Sequence, residues 1–328
     1  MQIQFLEYSE INDLYAFNKQ VFPTRHEPNS IIDFWFSKNT DERNLSVILN
    51  GASDEIWGQA LFSSMNYFFN SELYKGKWCF DYIVREDKRK DGYGIDIMQF
   101  ALESNEIPIF ATGSGPIALK IELKMGFKLL GELKKYAGIV NPIYFLSSFF
   151  RGTLAIKRFP SLVKTKGATF SLITKENLFD IAKPYNENLL EFGRDKSFLN
   201  WRFYSSLHDY AVYKNDTGDD YFVLRTIVKK HITCMVLVDY RCNVSTSNNF
   251  GLILKAAKQV TCKLRLCVLI IGSSLRSIDA ILEKQYFRAI GRHRPIITTK
   301  SVKEYKASIT NREFVLTTLA DSDGEIQW

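Results

Sequence analysis

The sequence holds only four histidines, and its five cysteines (Cys79, Cys234, Cys242, Cys262, Cys267) include no C-x-x-C pair. A structural zinc site needs closely spaced Cys or His ligands, and a disulfide framework uses paired cysteines in a short chain. Neither is expected, and no metal is assigned. No apolar run approaches the ~18 residues of a membrane helix. The start, Met1-Gln2-Ile3-Gln4, lacks the basic and then apolar regions of a signal peptide. The expectation is a reduced, cytoplasmic protein that does not bind membrane. Also missing are the three-glycine dinucleotide fingerprint, the G-K-[ST] of a P-loop, and any Ser/His/Asp or Cys/His arrangement. Lys and Arg are scattered rather than interleaved with aromatics, so nucleic acid is not an expected partner.

What is present is a globular composition, 46% apolar and 24% charged over 328 residues. That length suits two domains of roughly 150 residues each. The formal net charge of +7 is compatible with a polyanionic small molecule as partner.

The chain repeats itself. Ile31-Ile32-Asp33-Phe34-Trp35-Phe36 has helical apolar spacing and leads through the turn Asn50-Gly51 into a strand-like run over 55–69. Phe198-Leu199-Asn200-Trp201-Arg202-Phe203 leads through Asp216-Thr217-Gly218 into a strand-like run over 221–228. Turns of this composition between alternating runs signal hairpins. The order then continues in step: strands over 78–84 and 232–240, helices over 94–103 and 251–260, strands over 107–111 and 266–271. A matching helix-turn closes each half, Ile121-Glu122-Leu123-Lys124-Met125-Gly126-Phe127-Lys128 against Ile281-Leu282-Glu283-Lys284-Gln285-Tyr286-Phe287-Arg288. Each unit reads helix, helix, antiparallel strands, a fourth strand, helix, strand, helix, strand. The fold class is therefore α+β with a mixed sheet, in two tandem units. The expected division is 1–150, a linker over 151–168, and 169–328.

The sharpest local motif is Arg89-Lys90-Asp91-Gly92-Tyr93-Gly94, between the strand at 78–84 and a helix. A strand ending in a glycine turn that opens a helix aims backbone N–H groups and the helix dipole at one spot, which suits a pyrophosphate. Together with Lys124-Met125-Gly126-Phe127 after the next strand, it resembles the acyl-CoA loop of the GCN5-related N-acetyltransferase superfamily. In the second half the corresponding loop, Arg241 to Gly251, is longer and keeps only its last glycine. It should not bind coenzyme A in the same way.

The resemblance implies acyl-CoA as co-substrate, held by Ile83, Val84, Arg85, Arg89, Lys90, Asp91, Gly92, Tyr93, Gly94 and Lys124. It implies a backbone N–H near Tyr82 that polarises the thioester carbonyl, and direct attack by an acceptor amine. Two positions depart from the superfamily: Trp78 stands where a glutamate base is common, and Glu122 where a tyrosine acid is common. An unperturbed carboxyl at position 122 would be ionised at neutral pH and a poor acid. Asp81, His26 and Asp239 are the alternative proton carriers. Arg25, His26, Trp201 and Arg202 are candidates for acceptor contacts. The stretches 194–203 and 314–323 look like tandem proteins of bacterial surface-polysaccharide pathways, which implies a small-molecule acceptor such as a dTDP-linked 3-amino-3,6-dideoxyhexose. Other readings are an acyltransferase acting on a protein or peptidoglycan-precursor amine, and a catalytically silent acyl-CoA sensor. A monomer or weak dimer is expected.

Overall fold

A computed structural model gives the fold and describes residues 2–6, 11–25, 27–36, 45–51, 55–104, 106–148, 158–181, 183–205, 207–299 and 314–322. The first half runs β1 (Gln2–Phe5), α1 (Ile11–Val21), α2 (Pro28–Phe36), β2 (Leu45–Asn50), β3 (Ile56–Phe69), β4 (Glu72–Val84), α3 (Tyr93–Glu103), β5 (Ile109–Thr112), α4 (Pro116–Lys124), β6 (Lys128–Ile139) and α5 (Pro142–Ser148). The second runs β7 (Leu162–Thr165), β8 (Ala168–Leu172), β9 (Leu190–Phe192), α6 (Lys196–Phe203), β10 (Tyr210–Asn215), β11 (Tyr221–Lys229), β12 (Ile232–Arg241), α7 (Ser247–Lys263), β13 (Val268–Ser273), α8 (Arg276–Lys284), β14 (Arg288–Thr298) and β15 (Val315–Leu316).

Local chemistry explains these elements. Helix α1 buries Ile11, Leu14 and Phe17, a three-residue spacing that makes one apolar stripe. The hairpins β3–β4 and β11–β12 each turn on two residues with positive φ, Asn70 and Ser71 (50° and 64°) and Lys230 and His231 (48° and 67°). That pair of signs matches the right-handed twist of the flanking strands. Helices α4 and α8 both end in a left-handed residue, Gly126 (φ 103°) and Tyr286 (φ 64°), so the repeat keeps the turn even where it loses the glycine.

The strands form one mixed sheet in the order β1-β2-β3-β4-β5-β14-β6-β13-β12-β11-β10-β8-β7. The halves are interleaved: β14 from the second lies antiparallel between β5 and β6 of the first, and β6 reaches on to β13. The second half departs from the expected order. Among the described residues there is no counterpart of α1, and the chain there leads instead into β9, which pairs with β3 and β15. The segment expected as a linker, 151–168, already contains β7 at its end.

Besides the two-residue β9–β15 pair, two strand pairs are parallel, β4 with β5 over Lys77–Cys79 and β12 with β13 over Met235–Leu237. Each pair stops after three residues and then diverges, and a bulge lies just beyond each stop. Gln59 faces Ile83 while Leu61 faces Phe80, so β4 carries one extra residue at Asp81–Tyr82. Likewise Val223 faces Asp239 while Leu224 faces Leu237, which leaves Val238 extra in β12. Asp81 sits at φ 46°, the left-handed conformation that gives the bulge its sharp bend.

Candidate active site

The opening between β4 and β5 is a cleft of about 240 Å³. Its walls are Cys79 to Ile83 on one side and Ala111 to Gly115 on the other, with Ala118 and Glu122 of α4 beneath. Beyond Cys79 the β5-facing edge of β4 leaves the ladder, so its backbone groups are placed to pair with something other than a strand.

At the far end of β4 the chain makes a 3₁₀ turn over Glu86–Asp91 and enters α3 through Gly92. Gly92 has φ 83°, and a Cβ there would meet no atom within 4 Å, so the main chain is bare on that side. The first N–H groups of α3 have no intrahelical acceptor and carry the positive end of the helix dipole. Gly94 has a different reason to be glycine. The Tyr82 hydroxyl donates to the Gly94 carbonyl at 2.6 Å and would lie 2.8 Å from a Cβ. Burial pushes the Tyr82 phenol well above its ordinary range, so it stays neutral.

The other loop residues divide by role. Arg85 is ion-paired with Glu55 and with Asp87, the latter at 2.6 Å, so its charge is already partnered. Arg89 is exposed and donates to the Val84 carbonyl at 3.0 Å. Lys90, Asp91 and, on α4, Lys124 are exposed; Ile83 and Tyr93 are half-buried and Val84 is buried.

Of the candidate proton carriers, His26 lies outside the described residues. Asp81 is buried and held by both terminal nitrogens of Arg25 at 2.7 Å each, so a proposed base and a proposed acceptor contact are committed to one another. Asp239 is the repeat counterpart of Asp81, and Arg194 takes the place of Arg25. Asp239 is fully enclosed: Oδ2 accepts from Arg194 Nε (2.8 Å) and the Tyr221 hydroxyl (2.6 Å), and Oδ1 from Arg241 Nη1 (2.9 Å) and Thr318 Oγ1 (2.6 Å). Burial alone would raise its pKa, but Arg194 and Arg241 hold it well below the usual carboxylate range. Saturated with donors and shut off from solvent, Asp239 is a poor base and a strong cross-link.

A second cavity, of about 180 Å³, lies between the two halves. Trp35 and Trp78 line it from the first half, and Phe198 and Trp201 from the second. Trp201 Nε1 donates to the Phe34 carbonyl at 2.8 Å, and its ring lies 5.4 Å from that of its repeat counterpart Trp35. Polar lining includes Ser63, Asn66, Arg194, Asp195 and Asp321. Asn66 Nδ2 donates to Asp195 at 3.3 Å. Ser63 Oγ is buried with no hydrogen-bond partner among the described residues. Trp201 thus both packs and faces the cavity. Arg202 does not face it: it is buried, bonding to the Ala320 carbonyl (3.3 Å) and the Tyr210 hydroxyl (2.9 Å). That placement corrects the expectation of an acceptor contact at Arg202.

Nor is Glu122 an unperturbed carboxyl. Glu122 is 2% exposed, and burial raises its pKa despite a hydrogen bond with Ser114. Its position in the helical register gave no such signal, because Ile117 and Leu123 of the same helix are exposed.

Among the described residues, no group of three or more His, Cys, Asp or Glu side chains could hold a metal ion. No helix there is long and apolar enough to cross a membrane. No protein-family model matches the chain, and no curated protein matches it in sequence. Solved structures do share its fold. A GCN5-related N-acetyltransferase from Anabaena variabilis superposes with a TM-score of 0.64 at 9% identity, covering 92% of this chain and 73% of that one. A probable N-acyltransferase from Enterococcus faecalis gives 0.61 at 11% identity, covering 93% and 74%. The Saccharomyces cerevisiae N-myristoyltransferase with bound myristoyl-CoA gives 0.58 at 9% identity, covering 91% and 82%. What this chain has in common with them is the GCN5-related N-acetyltransferase-like fold.

Proposed function

We propose that this protein transfers an acyl group from acyl-CoA to a primary amine on a small molecule. The observation that carries the reading is the conjunction at β4: a bulged strand that parts from β5 and ends in a bare Gly92 turn at a helix start. A parted edge offers backbone donors and acceptors to a pantetheine chain, and the helix start suits its pyrophosphate. A backbone N–H beside the bulge would polarise the thioester carbonyl as an oxyanion donor. Arg89 and Lys90 supply charge at the rim. One of the matched folds was solved with myristoyl-CoA bound, which agrees with this reading.

The second half does not offer the same site. There Asn186 Nδ2 donates to the Cys242 carbonyl (3.1 Å) and Asn186 Oδ1 accepts from Val244 N–H (2.8 Å), so those two backbone groups just beyond β12 are already taken. Calorimetry with coenzyme A should give one site per chain. Gly92→Asp should abolish it, because a carboxylate would meet the phosphates. Two equivalent sites, or unchanged binding in the variant, would sink the assignment.

For the acceptor, the reading is a nucleotide-linked amino sugar bound in the cavity between the halves. Indole faces beside Asn66, Asp195 and Ser63 suit a sugar ring, whose C–H faces pack on aromatics while its hydroxyls find polar partners. Both halves line this cavity, so the proposed catalyst is the whole chain. Release of thiol from acetyl-CoA in the presence of dTDP-3-amino-3,6-dideoxygalactose, set against peptide amines, tests it. Turnover with peptides alone would replace the sugar reading.

A further inference from the structure

Strand β14 is irregular where it crosses β6. Ile290 faces Lys135 and Arg294 faces Leu133, so Gly291, Arg292 and His293 lie opposite Lys134 alone. Gly291 bends the chain there with φ 66°. The excursion lands on the turn between β5 and α4. Arg292 Nη2 donates to the Ser114 carbonyl at 3.2 Å, and a Cβ on Gly113 would lie 3.4 Å from Arg294 Cδ. Gly113 and Ser114 line the β4–β5 cleft. Arg294 Nη1 donates to Ser322 Oγ at 2.6 Å, and Ser322 lines the cavity between the halves. Arg294 thus stands between the two openings.

The charge at this spot is one-sided. Arg25, Arg85, Arg194 and Arg241 are each paired with a carboxylate. Arg292 and Arg294 are held instead by a carbonyl and a hydroxyl, with no carboxylate partner among the described residues. The one carboxylate of β6, Glu132, faces His293 at 3.3 Å. Every second side chain along a strand shares a face. Arg294 is two residues from Ile296, and Lys135 two from Leu133, both in the core cluster that holds Trp35 and Trp78. The two cations therefore project on the side of the sheet where the cavity lies. Burial, then the charges of Arg294 and Lys229, push the Lys135 pKa down to about 8. Gathering like charges works against the compact state unless an anion offsets it. A guanidinium fork matches phosphate oxygens.

Resting on the reading of a nucleotide-linked acceptor given above, we propose that Arg294, with Arg292 and Lys135 beside it, binds the diphosphate of that acceptor. The donor's pyrophosphate belongs at the Gly92 turn, beyond the other end of the cleft. Held at Arg294, a diphosphate leaves its sugar within reach of both the cavity and the cleft, which is where the amine must meet the thioester.

The test is calorimetric titration of dTDP into protein saturated with coenzyme A, so that the Gly92 turn is already filled. The wild type should bind dTDP, and thymidine at least about tenfold more weakly. Arg294→Gln should weaken dTDP binding about 10–100-fold, with Arg294→Lys between the two. Arg292→Glu, a change at an exposed side chain, should weaken it as well. Melting temperature and coenzyme A affinity should stay at wild-type values in all three. In turnover, Arg294→Gln should raise KM for dTDP-3-amino-3,6-dideoxygalactose and leave kcat and KM for acetyl-CoA little changed. The proposal is overturned if dTDP does not bind the wild type, if thymidine binds as tightly, or if Arg294→Gln binds dTDP unchanged. Should Arg294→Gln not fold, unchanged dTDP affinity in Arg292→Glu overturns it alone. Coenzyme A affinity that falls in step with dTDP affinity would move the arginines to the donor's phosphates and overturn it too. If coenzyme A does not bind at all, the acyl-transfer reading has failed by itself, and dTDP titration of the unliganded protein still decides for or against Arg294.

Discussion

Gly94 offers a test in which the sign of an effect, not only its size, is at stake. Glycine early in a helix is unfavourable, and replacing it with alanine commonly gains up to about 1 kcal/mol. Here the new Cβ would lie 2.8 Å from Tyr82 Oη, well inside van der Waals contact. The phenol cannot simply move aside, because its hydroxyl donates to the Gly94 carbonyl at 2.6 Å. Displacing it loses a hydrogen bond with a net value of about 1 kcal/mol. Holding the ring off its rotamer costs about 0.5–1.5 kcal/mol more. Gly94→Ala should therefore destabilise the wild type by about 1 kcal/mol after the helical gain. In a Tyr82→Phe background the obstacle is gone, since the next nearest atoms, Tyr82 Cζ at 3.6 Å and Val84 Cγ2 at 3.7 Å, are ordinary contacts. There Gly94→Ala should stabilise. Urea midpoints of the four proteins give the cycle. Equal effects of Gly94→Ala in both backgrounds would refute the argument. Coenzyme A affinity across the same four proteins separates packing from ligand approach: if phosphates need the bare chain at position 94, affinity falls even in the stabilised double variant.

Other consequences follow from burial and topology. Because the folded state raises the Glu122 pKa, its proton-linked stability is present below the ordinary carboxyl range and lost as pH rises. Glu122→Gln should therefore gain on the wild type in urea midpoints as pH increases from about 4 to 8, and no widening gap would contradict the burial argument. Asp239 has the opposite sign. Its pKa is depressed, so its contribution is present above the ordinary carboxyl range and lost on acidification, and Asp239→Asn should flatten the acid limb of the stability curve. Breaking that buried cluster should also cost about 3–5 kcal/mol near neutral pH, and a loss under 1 kcal/mol would refute its structural role. A fragment of residues 1–150 lacks β14, which separates β5 from β6, and should give neither a cooperative melt nor coenzyme A binding. A folded, binding fragment would show that the interleaving is dispensable.

Much of this was legible in the sequence because it is encoded locally. The alternating runs and the Gly92 loop each follow from residues within a few positions of one another. So does the helix-turn at Gly126, whose repeat at Tyr286 keeps the left-handed backbone. Three features were hidden because they depend on distant partners. The repeat calls for a closing strand where β14 lies but cannot say that it sits between β5 and β6. The α1 counterpart was expected from the repeat, yet in its place the chain runs into β9, two of whose residues pair with β3. Nor could spacing show that Asp81 meets Arg25 or that Asp239 meets Arg194, pairs fixed only when the bulges form. Glu122 was misjudged for a related reason. Ile117 and Leu123 of α4 are exposed while Glu122 is buried, a placement that no residue near it in the chain signals.

On the acyl-transfer reading, the repeat also explains why one fold would offer one donor site. Each half builds the same device, a bulge on its fourth strand with an aspartate pinned by an arginine. In the first half the pair lines an open cleft, and the strand edge beyond it continues to a bare glycine turn. In the second half the pair lies beneath Tyr221, Arg241 and Thr318, and Arg194 also reaches Asp321 at 2.5 Å. Asn186 then takes up the Cys242 carbonyl and the Val244 N–H just beyond β12. A buried charge cluster satisfied on every side is rigid, and this one anchors the segments carrying Gly193 to Asp195 and Ala320 to Ser322, which form one wall of the cavity between the halves. On the acyl-transfer reading, the second half gave up a cofactor edge and gained a fixed acceptor wall. Loosening that wall should therefore act on the acceptor's KM before it acts on coenzyme A binding.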